Sequence, residues 1–184
     1  MKTRFAFFLS IAIASGIASV FSATAWAQDF KVCKSTFALC TIAPCEPISG
    51  NDKQVECHCT VNNSYSAGHE ACSGLKDTPE GQQIRSRYYP VHSYAVCSND
   101  RSWAWCLDKP CLIDKNNPEA ASCTCDVVKN LGDYVIVTTK YSPDTCTTGV
   151  ISSATVSQIT QVTDYIETKA KGKLTAFKIQ VLNK

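Results

Sequence analysis

Charge is scarce in this chain of 184 residues: 18% of positions are charged, with 18 Lys and Arg against 16 Asp and Glu. A surplus of two cations is too small for the general field that draws phosphate backbones or anionic lipid surfaces, so neither a nucleic-acid nor a membrane-surface partner is expected. The 45% hydrophobic content excludes a disordered polar or acidic tail. No glycine period marks a collagen, and no heptad run marks a coiled coil. Methionine occurs once. No Gly-x-Ser-x-Gly elbow presents a nucleophilic serine. After residue 27 no apolar segment is long enough to span a bilayer.

The one long apolar run lies at the start. Lys2 and Arg4 precede Phe5 to Phe21, and the stretch closes on Ala25-Trp26-Ala27. A short basic start, an apolar middle and small residues at the two positions a peptidase reads describe a secretory signal peptide over residues 1–27. Its removal takes two cations and no acid, leaving the charges balanced. The protein is therefore expected to be secreted or periplasmic, with no membrane span after cleavage.

Cysteine is abundant, at 12 residues. An even number in an exported chain of this size reads as a disulfide framework. The order is Cys33, Cys40, Cys45, Cys57, Cys59, Cys72, then Cys97, Cys106, Cys111, Cys123, Cys125, Cys146. Both sets of six share steps of 5, 12 and 2 from their second to their fifth cysteine. Flanking residues agree. Phe30-Lys31-Val32-Cys33 matches Tyr94-Ala95-Val96-Cys97, Ala38-Leu39-Cys40 matches Ala104-Trp105-Cys106, and Cys57-His58-Cys59-Thr60-Val61 matches Cys123-Thr124-Cys125-Asp126-Val127. We read a tandem duplication: one cysteine-rich unit over residues 28–93, a second over 94–150, and a C-terminal segment over 151–184. Units this small bury thin cores, so three bridges apiece, at roughly 2–4 kcal/mol each, would decide whether they fold.

The fold class expected is a small disulfide-rich, β-rich (α+β) protein. Strands are predicted over 37–41, 54–61, 103–107, 121–128 and 133–140, from β-branched and aromatic content between turn-formers. Cys57 and Cys59 would share one strand face and reach different partners; the spacing leaves the connectivity open. Val156, Ile159, Val162 and Ile166 recur at helical spacing, with Ser152 or Ser153 as cap and Gly172 as stop. A terminal strand follows over 174–182. A shorter helix is predicted over 81–87.

Cys57-His58-Cys59 invites a zinc reading, but strand geometry turns His58 away from both cysteines and the second set has Thr124 there, so structural bridges and no metal or other cofactor are expected. His58, His69 and His92 nominate no triad. Asp108, Asp114, Asn116, Asn117 and Glu119 lack the order of a calcium loop and read as a solvated turn. Two binding surfaces remain. Trp103 and Trp105 would share a strand face, as a sugar-stacking platform requires; the large apolar Phe37 and Leu39 at the matched positions of the first set favour core packing for the same face. Arg85, Arg87, Tyr88 and Tyr89 mix the residue types enriched at interface hot spots. The function expected is non-catalytic binding of a protein or glycan. The alternative is a secreted protease inhibitor or small enzyme whose active loop lies between the third and fourth cysteine of a unit.

Overall fold

A computed structural model describes residues 30–184 apart from 89, 90, 99, 148, 170, 171, 173–178 and 184. The predicted signal segment lies outside the described residues. The chain is strand-rich. It runs β1 (Lys31–Leu39), β2 (Cys45–Ile48), β3 (Asn51–Gly68), β4 (Lys76–Thr78), β5 (Gly81–Arg85), β6 (Ser93–Cys97), β7 (Trp103–Trp105), β8 (Pro110–Ile113), β9 (Ala120–Val128), β10 (Tyr134–Val137), β11 (Ser152–Ser153), α1 (Val156–Lys169) and β12 (Gln180–Val181).

Nine strands form one sheet along the path β1-β3-β9-β8-β5-β4, with β2 also on β3, β7 also on β9, and β11 on β7. A bridge between Ala38 and Ser86 brings β1 next to the end of β5. The second sheet has the order β10-β6-β12. Between the sheets and α1 the core divides into clusters, and the central one is unusual in composition. It holds Cys40, Cys45, Cys57, Cys59, Cys106, Cys111, Cys123 and Cys125 with Val55, Ile84 and four alanines.

All twelve cysteines are bridged, with none free. The pairs are Cys33–Cys72, Cys40–Cys59 and Cys45–Cys57, then Cys97–Cys146, Cys106–Cys125 and Cys111–Cys123. Each bridge stays within one set of six, joining first to sixth, second to fifth and third to fourth. Pleating explains why Cys57 and Cys59 take different partners: both point to one face of β3, where Val55, Cys57 and Cys59 are buried while Glu56, His58 and Thr60 are exposed. Cys45 pairs with Cys57 across β2 and β3, Cys57 faces Cys123 across β3 and β9, and Cys123 pairs with Cys111 across β9 and β8. Four cysteines thus occupy one transverse row of the sheet.

Several expectations need correction. Residues 81–85 form β5 rather than a helix; β5 hydrogen-bonds to β4 on one side and β8 on the other, and that pairing overrides weak local preferences. Strands of the two cysteine sets share one sheet, since β3 pairs with β9 and β5 with β8. The cap of α1 is Thr155, not Ser152 or Ser153. The Thr155 hydroxyl accepts from Gln158 N at 3.2 Å, and the Gln158 side chain accepts from Thr155 N at 2.7 Å, a reciprocal capping box. Ser152 and Ser153 are instead held in β11 beside β7. Helix α1 buries Ile159, Val162 and Ile166. The terminal strand is described only at Gln180–Val181, the rest of the predicted stretch falling largely outside the described residues.

Candidate functional site

The residues nominated from sequence divide sharply by burial. Trp103 is 2% exposed, packed on Tyr134 with ring centroids 6.2 Å apart and edge-on to Trp105 at 6.3 Å. Trp105 is half-buried and meets Tyr88 edge-on at 5.9 Å. The pair therefore offers no shared open face for a sugar ring. Alternation on β7 placed both rings inward, because that face covers the core.

Arg87 is buried as well, its side chain only 1% exposed. Its guanidinium donates to Ser66 Oγ at 3.0 Å, to the Lys31 carbonyl at 2.6 Å, to the Glu70 carbonyl at 3.4 Å and to Asp108 Oδ1 at 3.3 Å. The other Asp108 oxygen accepts from the amides of His69 and Glu70. Burial pulls the Arg87 guanidinium below the ordinary arginine value, Asp108 opposes that, and neighbouring Arg85 adds to it. Arg85 is half-buried and donates to the Asp108 carbonyl at 2.8 Å. Burial also pushes the Tyr88 phenol well above the usual tyrosine range, with Asp108 adding to the effect. Tyr89 lies outside the described residues. What looked from sequence like a surface patch is an internal lock, tying β1, the end of β3 and the segment after β5 to an aspartate of the second cysteine set.

The stretches between the third and fourth cysteines are hairpins closed at their bases by Cys45–Cys57 and Cys111–Cys123. Their tips, around Gly50 and across Asp114 to Glu119, are largely exposed. His58 is turned outward, 3.6 Å from Glu46, while both cysteines beside it are bridged.

The strongest feature was not nominated from sequence. Ile42 sits two residues after Cys40, and Asp108 two residues after Cys106. Both have left-handed backbones, with φ of 57° and 58°. The turns match: the residue after each donates its amide to the carbonyl of the cysteine, Ala43 to Cys40 at 3.1 Å and Lys109 to Cys106 at 3.4 Å. Aspartate tolerates that conformation; a β-branched isoleucine does not, at a cost of about 1–2 kcal/mol. Asp108 uses the place for the Arg87 lock. Ile42 instead points out, 44% exposed.

Around Ile42 the loop is firmly held. Cys40–Cys59 and Cys45–Cys57 clamp both ends. Ala43 exchanges hydrogen bonds with Ser152, Cys45 N donates to the Val150 carbonyl, and His58 N donates to Pro44. Beside it runs an open groove of about 490 Å³, lined by Leu39, Thr41, Ile42, Val91, Val137 and Thr138 among others. Four of its residues, Thr41, Ile42, Val91 and Val137, also line a deeper cavity of about 40 Å³ that reaches Cys40 and Cys106. The inner cavity admits a water molecule or two, and the outer groove has the size of a ligand or side-chain site.

Comparison with protein-family models, with curated proteins and with solved structures finds no match.

The site must therefore be read from its own chemistry. The groove walls are aliphatic and hydroxylic apart from the imidazole of His92, and the rim carries a strained, exposed isoleucine on a doubly clamped loop. Such a surface suits an apolar side chain or backbone edge of a protein better than a sugar, which favours an open aromatic ring. The signal in the sequence was a mismatch: between matched cysteines, one set has isoleucine where the other has aspartate.

Proposed function

We propose that the protein is exported by its N-terminal signal segment and acts, once bridged, as a non-catalytic binding protein whose partner is a protein docking on Ile42 and the adjoining groove. The observation that carries the reading is an exposed isoleucine at a left-handed position of a doubly clamped loop. Strain of that kind collects at functional sites. The frame is two tandem units over residues 28–93 and 94–150, with the segment 151–184 closing them. Support for duplication comes from the matched bridge order and the matched strands: β1 and β2 flank β3 as β7 and β8 flank β9.

Ile42→Asn tests the reading because it separates stability from binding. Asparagine relieves strain of about 1–2 kcal/mol, and the exposed isoleucine surrenders about 1 kcal/mol from the part of its side chain that is covered. Unfolding free energy should then stay within about 1 kcal/mol of the parent. Crosslinking capture from an envelope fraction should lose the partner with Ile42→Asn and keep it with Leu131→Asn, a change at an exposed leucine elsewhere. Equal capture by both variants would refute the docking face, and retention on a glycan array abolished by neither would favour the glycan reading.

A further inference from the structure

The central row of cysteines brings bridges of the two sets into sulfur contact. Cys40 Sγ lies 3.3 Å from Cys123 Sγ, although Cys40 is bonded to Cys59 and Cys123 to Cys111. The sulfurs of Cys40, Cys59 and Cys123 all fall within 4.8 Å of one another, and so do those of Cys57, Cys106 and Cys125. The arrangement is two-fold in character, because the fourth cysteines of the sets, Cys57 and Cys123, face each other across β3 and β9. A second-set sulfur thus abuts the Cys40–Cys59 bridge, and a second-set bridge abuts Cys57.

We propose that this core is a thiol–disulfide exchange site in which the clamp on the Ile42 loop can pass from β3 to β9. The entering reactant is a dithiol reductant. It reduces Cys40–Cys59 by two electrons, leaving thiols at both cysteines and itself becoming a disulfide. The Cys40 thiolate then attacks Cys123 Sγ. A Cys40–Cys123 bond forms, the Cys111–Cys123 bond breaks, and its electron pair leaves on Cys111, which takes up the proton that Cys40 released. The product holds one bridge between the two sets and thiols at Cys59 and Cys111. Reduction takes place in molecules whose Ile42 loop has opened locally, since Cys40 is 6% exposed and the cavity it lines admits only a water molecule or two. The exchange stands on sulfur geometry and is independent of the binding role of Ile42.

The direct test is the double variant Cys59→Ser, Cys111→Ser, which strips Cys40 and Cys123 of their partners. Expected is a monomer with no free thiol and a Cys40–Cys123 peptide pair on mass-spectrometric mapping. A control, Cys72→Ser with Cys111→Ser, orphans Cys33 and Cys123, which share no sulfur contact, and should retain two thiols. Two free thiols in the first variant, or a disulfide-linked dimer, would overturn the proposal. Should that variant not fold, the parent protein is equilibrated in a glutathione redox buffer at pH 8, acid-quenched and alkylated. Among molecules in which Cys40–Cys59 has opened, labels at Cys59 and Cys111 support exchange, and labels confined to Cys40 and Cys59 overturn it.

Discussion

Removing the carboxylate of Asp108 should be among the most damaging single changes in the protein. The Arg87 and Asp108 side chains are 1% and 11% exposed, 3.3 Å apart. Breaking a buried pair by deleting one partner costs about 3–5 kcal/mol, because the remaining charge is stranded away from water. Alanine also leaves the amides of His69 and Glu70 without their acceptor, and it must adopt the left-handed backbone at φ 58°, adding about 1 kcal/mol. The expected loss for Asp108→Ala is therefore about 4–6 kcal/mol. In a domain of this size that lowers the thermal midpoint by roughly 10–20 °C. Asp108→Asn tolerates the backbone and keeps an acceptor, so its loss should be about half as large. The double variant Arg87→Met with Asp108→Asn removes the stranded cation and should recover part of the loss, with a coupling of about 1–3 kcal/mol. Denaturant unfolding of the bridged protein, followed by near-ultraviolet circular dichroism, measures these three variants and the Arg87→Met single variant that completes the cycle. Asp108→Ala within 1 kcal/mol of the parent, or purely additive losses in the cycle, would refute a buried ionic lock.

Two further outcomes follow from the same region. The Tyr88 hydroxyl is buried with no hydrogen-bond partner among the described residues; Tyr88→Phe removes that desolvation cost and should stabilise by about 1 kcal/mol. Because the folded phenol titrates above the unfolded value near 10, its contribution is intact below that pH and is lost as pH climbs from about 10 through the folded value; the parent should lose stability more steeply there than Tyr88→Phe, and identical profiles would count against a buried phenol. A methyl added at Gly68 would overlap Asp108 Oδ1 and approach Arg87 Nη1 to 2.8 Å, so Gly68→Ala should cost about 1–3 kcal/mol and add less on top of Asp108→Ala, which removes the overlapping oxygen. Full additivity of those two changes in the same denaturant assay would show that Gly68 is independent of the lock.

What could be read in the chain beforehand was covalent and periodic. The repeated cysteine steps exposed two sets of six, and alternation around Cys57 and Cys59 told which way they face. What could not be read was long-range. Residues 81–87 have the composition of a short helix, and only the neighbours on β4 and β8 make residues 81–85 a strand. Arg87 looks like a surface cation until Asp108, 21 positions on, arrives from the other set. The two tryptophans share one strand face, and the large apolar Phe37 and Leu39 at the matched positions of the first set already point to core packing for it. The strained backbone angle of Ile42 leaves no mark in composition. Thr155 carries a capping signature in the sequence itself, Gln158 three residues later, where Ser152 and Ser153 carry none.

The order of the bridges, first to sixth, second to fifth and third to fourth in each set, is nested throughout, and no bridge crosses another or passes between sets. Drawn as arcs over the chain, the six never intersect. A polypeptide delivered N-terminus first can therefore close every loop of Cys33 to Cys72 before Cys97 has emerged. No segment has to be threaded through a ring already shut, and no early bond has to be reopened to admit a later one. The connectivity alone permits oxidative assembly set by set, from the N-terminus onward.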